Sequence, residues 1–154
     1  RYTLPVEGDI VEYREVLLDK LGYEGVKDRV DFLQGDACNL KPQFTNYNVV
    51  FAGNLIDRLY EPAMFLKDIQ VRIVSGGLLV LTSPYTWLEE YTDKSNWLGG
   101  VKVNGENFST LDALKQQLAD SFDFEEAVDV PFVIRETARK HQHTVAQMTI
   151  WRKR

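Results

Sequence analysis

The sequence predicts an α/β domain, an open and largely parallel sheet finished by a C-terminal antiparallel hairpin, on three observations. Arg29–Gln34, Asn48–Ala52 and Leu78–Thr82 are short apolar runs flanked by small or polar residues: Gly35-Asp36-Ala37-Cys38 follows the first, Gly53-Asn54-Leu55 follows the second, and Ser75-Gly76-Gly77 precedes the third. The second and third are separated by an amphipathic segment long enough for a helical crossover between parallel strands. Glu125–Ile134 and Thr144–Trp151 are divided only by the polar Arg135–His143, which allows a hairpin and no crossover. In such sheets ligands gather beyond the C-terminal ends of the strands, so the tips carry the chemistry.

The 154 residues, 44% hydrophobic and 27% charged, are enough for one domain with a real core, and no run approaches the roughly 18 apolar residues of a membrane span. The chain opens on Arg1 with no charged-then-apolar leader, and a cytoplasmic location is expected. One cysteine, Cys38, excludes an internal disulfide. With only His141 and His143 beside it, no zinc-type ligand spacing exists and no metal is expected. The net charge of −5 argues against a broad nucleic-acid surface, which needs clustered Lys and Arg. A small molecule is the expected partner, with neither nucleic acid nor membrane.

In chain order, Arg1–Leu4 and Ile10–Val16 alternate around Pro5–Asp9 and predict a hairpin insertion within residues 1–18, although Ile10, Tyr13, Leu17 and Leu21 also suit a helix face. Asp19–Gly25 reads as a short helix or turn before a strand at Val30–Gln34, where the core, 29–154, begins. Val49–Ala52 is an unbroken apolar run, as in a strand buried on both faces. Pro62 suits a first helical turn, and Phe65, Ile69 and Ile73 extend an apolar stripe to Ser75-Gly76-Gly77, read as the helix stop before the strand Leu78–Thr82. Pro84–Asn107, with Trp87 and Trp97, is too long for a routine connection and reads as a lid or substrate wall. Thr110 is the expected cap of a helix through Leu111, Leu114 and Leu118.

No Gly-rich turn follows a strand and opens a helix, although that turn holds the phosphate or ribose portion of nucleotides in folds of this type. The chain therefore reads as part of a nucleotide-binding domain without its first portion.

The progression Arg29-Val-Asp-Phe-Leu-Gln-Gly-Asp-Ala, Asn48-Val-Val-Phe-Ala-Gly-Asn-Leu-Ile-Asp-Arg-Leu and Val74-Ser-Gly-Gly-Leu-Leu-Val-Leu resembles the second half of Rossmann-like class I S-adenosylmethionine-dependent methyltransferases. Longer strings, Gln34-Gly-Asp-Ala-Cys-Asn-Leu-Lys-Pro, Ser83-Pro-Tyr-Thr-Trp-Leu-Glu-Glu, Trp97-Leu-Gly-Gly and Pro131-Phe-Val-Ile-Arg-Glu-Thr-Ala-Arg-Lys, resemble the C-terminal methyltransferase domain of ovothiol synthases over nearly the whole chain. That resemblance implies S-adenosylmethionine as cofactor and N-methylation of the imidazole of 4-mercaptohistidine. It also implies an iron-dependent sulfoxide synthase module in the same polypeptide as a possible partner. The family's first strand, Gly-rich loop and second strand have no counterpart here, so the resemblance is to a truncated domain, expected to be inactive alone, with the sheet order 4-5-7-6 of the family's 3-2-1-4-5-7-6 still contiguous.

On the resemblance, Gly35, Asp36, Ala37 and Cys38 meet the adenine, with Asp36 accepting from its amino group, while Asn54 and Leu55 border the transferring methyl. Each has a plainer rival: Asp36 as a turn stabiliser, Cys38 as buried filler, Asn54 as a helix cap. Tyr85 and Trp87 are candidate substrate-pocket residues, against a structural role for the tryptophans. Arg135 and Arg139 are candidates for the substrate carboxylate, Glu136 for its ammonium, and His141, His143 or Glu136 for a proton acceptor, against a merely solvated hairpin turn. Asp57 and Tyr85 are rival bases. Another small-molecule methyltransferase, a nicotinamide dehydrogenase and a non-catalytic interaction domain are the competing functions.

Overall fold

The computed structural model describes all residues, 1–154, and divides into two compact units, Arg1–Gln34 with Phe132–Thr144, and Gly35–Pro131 with Val145–Arg154. No helix is long and apolar enough to cross a membrane.

In the first unit, β1 (Tyr2–Glu7) and β2 (Ile10–Arg14) form the expected antiparallel hairpin, with Tyr2 opposite Arg14 and Leu4 opposite Glu12. Gly8 turns it at a φ of +53°, where a side chain would be strained. A 3₁₀ turn follows at Glu24–Arg29. The strand expected at Val30–Gln34 does not form: these residues have no regular structure, and Phe32 is 94% exposed. No strand lies alongside to accept their backbone groups, so apolar content alone does not make them a ladder.

The second unit holds the sheet. Its strands are β3 (Tyr47–Gly53) and β4 (Ile73–Ser83), with α1 (Pro62–Ile69) between them; a small hairpin β5 (Val101–Val103) and β6 (Glu106–Phe108) follows, then α2 (Thr110–Leu118). The long strands β7 (Phe122–Arg135) and β8 (His141–Lys153) complete the set. The sheet order is β3-β4-β8-β7, with β3 parallel and β8 antiparallel to β4. The register sets Val50 beside Leu79 and Ala52 beside Leu81, and across β4 pairs Leu79 with Trp151. That face joins Phe65, Leu66 and Ile69 of α1 and Ala113, Leu114 and Leu118 of α2 in one buried cluster.

The other face corrects the expectation of double burial. Val49 is 55% and Phe51 64% exposed, because β3 is the last strand of its sheet and its outer face has no helix over it. α1 is also shorter than its apolar stripe suggests and stops at Ile69, since Ile73 pairs with Tyr47 as the first residue of β4. The stop is enforced by Arg72, 6% exposed: its guanidinium grips both oxygens of Asp68 and donates to the carbonyl oxygens of Leu40, Lys41 and Phe44. A planar fork with five donors suits that cage.

Gly76 and Gly77 therefore do not end a helix. They form a bulge inside β4: Tyr47 pairs with Ile73 and Val49 with Leu78, so a step of two on β3 spans a step of five on β4. Gly76 sits at a φ of +79°. A Cβ on Gly77 would come within 2.7 Å of Ile73 Cγ2 and 2.8 Å of the Asn48 carbonyl oxygen. The cap of α2 is Ser109 rather than Thr110: its hydroxyl accepts from Asp112 N while the Asp112 carboxylate accepts from Ser109 N. Thr110 is buried and serves Trp87 instead.

Gly77→Ala is expected to lower the urea midpoint by the equivalent of about 1–3 kcal/mol, the usual cost of overpacking, with the denaturant slope unchanged. An unaltered midpoint would show that the bulge opens without cost.

Candidate functional site

The parallel strands β3 and β4 end side by side, Gly53 opposite Thr82, and just beyond each tip is a non-glycine residue in the left-handed region, Asn54 at φ +50° and Tyr85 at φ +54°. Such strain persists only where neighbours over-determine it. At Asn54 the N–H donates to Thr82 O (2.8 Å) and Thr82 Oγ1 (3.0 Å), and the Thr82 hydroxyl lies 3.2 Å from Asn54 Oδ1. Asn54 caps no helix; Leu55 is the residue preceding the short 3₁₀ turn Ile56–Arg58 and is partly buried against the core.

At Tyr85 the determinant is Asp57, completely buried one turn past the β3 tip. Its Oδ1 accepts from Ser83 Oγ (2.9 Å), and its Oδ2 from Thr86 N, Thr86 Oγ1 and Arg58 Nη1 (3.0 Å each). Ser83 Oγ in turn accepts from Tyr85 N (3.0 Å). Arg58 closes the ring by donating to Thr86 O and Thr86 Oγ1, and stacks over Tyr91 at 4.9 Å. Asp57 is thus engaged on both oxygens as a structural acceptor. Tyr85 is half-buried, and its hydroxyl donates to Gln147 Oε1 on β8 (3.1 Å). Burial, and then the charge of Asp57, push the phenol up to about 12, so Tyr85 stays protonated near neutrality and is unsuited to act as a base.

Residues 35–39 form a turn. Asp36 stabilises it: Oδ1 accepts from Cys38 N (2.9 Å), and Asn39 N donates to Asp36 O (3.0 Å). The other oxygen, Oδ2, accepts from the hydroxyl of Tyr60 (2.8 Å). That bond is the main reason the Tyr60 phenol is raised to about 12. Cys38 is 4% exposed, its thiol directed to Glu61 O (3.4 Å), and burial raises its pKa; it fills space and is no nucleophile. A concavity of about 240 Å³, lined by residues including Glu61, Met64, Asn96 and Trp97, adjoins this segment through Asn96, whose amide donates to Tyr60 O.

The stretch 84–107 is tied into the core. Trp87 is 8% exposed, donates to Thr110 Oγ1 (3.0 Å) and stacks on Trp97 at 6.2 Å; Trp97 donates to Thr92 O. Gly35, Asp36, Ala37, Cys38, Asn54, Leu55, Tyr85 and Trp87 all lie in the second unit. Arg135, Glu136, Arg139, His141 and His143 lie in the first, around the turn between β7 and β8. There Glu136 pairs with Lys140 (2.5 Å), Arg135 Nε donates to Thr137 O, and Thr137 Oγ1 accepts from Arg139 N and Lys140 N. No group of three or more His, Cys, Asp or Glu is placed to hold a metal.

Sequence reasoning missed Tyr60, Ser83, Thr86 and Gln147, and gave Asp57 only as a rival base. Asp57 had a signal, an acid set among Leu55, Ile56 and Leu59 directly after a strand tip. Tyr60 and Gln147 had none, because their partners are 24 and 62 residues away.

No protein-family model matches the sequence, and no curated protein does. Solved structures do. The [4+2]-cyclase SpnF shares 16% identity at a TM-score of 0.54, over 88% of this chain and 61% of its own. A SAM-dependent methyltransferase from Methanosarcina mazei shares 16% at 0.51, over 77% and 65%, and the N-methyltransferase NodS from Bradyrhizobium japonicum, in complex with S-adenosyl-L-homocysteine, 11% at 0.51, over 90% and 64%. The fold is that of the Rossmann-like class I methyltransferases. The chain spans less than two thirds of the length of each of these three structures.

Removing the acceptor from the clamp leaves the buried Ser83 hydroxyl and the donors of the exposed Thr86 without their partner. Asp57→Ala is expected to cost about 3 kcal/mol, read as a lowered midpoint in scanning calorimetry, and Asp57→Asn, which keeps one acceptor oxygen, less. Equal stability of Asp57→Ala and wild type would show that the buried Ser83 hydroxyl is re-paired or rehydrated at no cost.

Proposed function

We propose that the chain is part of an S-adenosylmethionine-dependent N-methyltransferase whose acceptor is an imidazole nitrogen of 4-mercaptohistidine. In this reading the natural polypeptide also carries an iron-dependent sulfoxide synthase module. The observation that carries the reading is the Asp36 turn on a methyltransferase fold. Asp36 holds its loop with one lone pair on each oxygen, and a carboxylate has about four acceptor sites, so capacity remains for an exocyclic amine. The backbone around Ala37 and Cys38 is proposed to meet the edge of the ring. These groups fit the adenine end of the cofactor. The 154 residues contain no Gly-rich turn for its other end, so the reading concerns the adenine side of the pocket together with the methyl-transfer edge at Asn54 and Leu55.

When bound, S-adenosylmethionine supplies an electrophilic methyl on a sulfonium, so the acceptor nitrogen forms the new N–C bond as the C–S bond breaks and its electron pair stays on sulfur. The protein's task is alignment, worth several kcal/mol when reacting atoms are held in line near contact. Asn54, locked by Thr82, and Tyr85, locked through Ser83 by Asp57, are the rigid groups at that edge. Arg135 and Arg139 are proposed to hold the carboxylate of the amino-acid acceptor, Glu136 its ammonium, and His143 or His141 to take the ring proton when the acceptor arrives as an imidazolium. A second reading, a different small-molecule transformation, is favoured by the cyclase that shares the fold, since fold does not fix reaction.

In the natural polypeptide containing these residues, Asp36→Ala is expected to weaken S-adenosylmethionine by about 1–3 kcal/mol in titration calorimetry. Unchanged affinity in a folded variant removes Asp36 from the site. Arg135→Ala and Arg139→Ala should raise the KM for 4-mercaptohistidine with cofactor affinity unaltered, and His143→Ala should lower turnover more at acid than at alkaline pH. Wild-type kinetics in all three would return the turn to a solvated hairpin.

A further inference from the structure

The concavity of about 240 Å³ at the start of α1 lies among residues with no role in the methyltransferase reading, where α1, the 3₁₀ turn Lys94–Asn96 and α2 converge. Its apolar lining includes Pro62 and Leu98, both buried, with Trp97 and the exposed Met64. Its polar lining is short of donors. The Ser95 hydroxyl donates to Asp93 Oδ1 (2.6 Å), the Trp97 indole N–H to Thr92 O (2.9 Å), and the Asn96 amide nitrogen to Tyr60 O (3.1 Å). What they leave open are acceptors, Ser95 Oγ and Asn96 Oδ1. Gln117 adds an amide that can present either end. Beside them is the Glu61 carboxylate, which caps no backbone group of α1 and is in none of the protein's ion pairs. We propose that this concavity is a binding site for a small alkylammonium, with its charge on Glu61, its other N–H groups on Asn96 Oδ1 and Ser95 Oγ, and its apolar body against Met64, Leu98 and Trp97.

The ligand class follows from what the lining offers. An ammonium carries three donors and no acceptor, which suits one carboxylate and two neutral acceptors. An anion meets the Glu61 charge, and the helix start does little to offset it: Pro62 brings no N–H, and Met64 N and Phe65 N turn to Glu61 O (3.1 and 3.4 Å). A neutral alcohol makes the apolar contacts but leaves the carboxylate without a counter-charge. The protein's own cation beside this wall, Lys94, sits over the Trp97 ring at 5.6 Å and pairs with no carboxylate. A cleft with a mainly apolar body and a few polar groups at one end is the usual form of a small-molecule site. Its walls are shared with the turn at 36–38, since the Cys38 thiol is directed to Glu61 O and Tyr60, held by Asn96, donates to Asp36. The proposal is independent of the methyltransferase reading.

The test titrates the full chain, labelled with ¹³C-methyl methionine and ¹⁵N-indole tryptophan, with butylammonium chloride at about pH 7.5, where an alkyl amine is fully charged. The matched probes are 1-butanol, butyrate and methylammonium, with ionic strength held constant by sodium chloride. The chain has two methionines, so Met148 on β8 is an internal control for Met64, and Trp151 is one for Trp97. Butylammonium is expected to shift Met64 and Trp97 saturably, to leave Met148 and Trp151 in place, and to bind about tenfold more tightly than 1-butanol. Methylammonium, without the apolar body, should bind more weakly, and butyrate should not compete. Glu61→Gln, at an exposed position that caps nothing, should lower butylammonium affinity about tenfold, to the level of the alcohol. The wild-type comparison of butylammonium with 1-butanol stands whether or not that variant folds. No saturable shift at Met64, shifts spread equally to Met148 and Trp151, equal affinity for the alcohol, or undiminished binding in folded Glu61→Gln overturns the proposal.

Discussion

The buried carboxylate of Asp57 is the constraint on which the edge of the sheet depends. A fully desolvated charge is tolerable only when its lone pairs are taken up, and here four donors from Arg58, Ser83 and Thr86 do so. Three of those donors belong to the segment leaving β4, while Asp57 belongs to the segment leaving β3. One side chain therefore welds two strand tips that backbone pairing has already released. The positive φ of Tyr85 is the geometric residue of that weld.

Much of the sheet was legible in the sequence. The strands at β3, β4, β7 and β8 are long apolar or alternating runs, and the short turn between the last two leaves only an antiparallel pairing. What failed did so where a local signal needed a partner. Val30–Gln34 has the composition of a strand and no neighbour to pair with. Ile73 continues a helical spacing from Phe65 and Ile69, but pairing with Tyr47 claims it for β4. Gly76-Gly77 is ambiguous by nature, since the freedom that ends a helix also permits a bulge.

The site was legible as a list of types and not as a set of contacts. Asp36 and Asn54 are visible because polar residues after apolar strands stand out. Their locks, Tyr60 and Thr82, are ordinary residues made specific by folding. Trp87, with its N–H satisfied by Thr110, shows how an aromatic-rich segment that reads as a substrate wall also supplies core. The basic turn at Arg135–His143 is a sequence-local cluster, and the compact unit it joins is the one carrying the N-terminal hairpin.

Arg72 recognises the loop before β3 entirely through main-chain oxygens, those of Leu40, Lys41 and Phe44. Carbonyl groups are common to every amino acid, so the Arg72 contact itself specifies the path of the loop and not its side chains. Within the loop only Leu40, packed against the core, and the half-buried Phe44 have side chains with a further role, whereas position 72 has almost no latitude: a lysine carries the charge but lacks the flat fork that spans three carbonyls and a carboxylate together. The shape of that connection is thus stored at a single codon about thirty residues downstream of it.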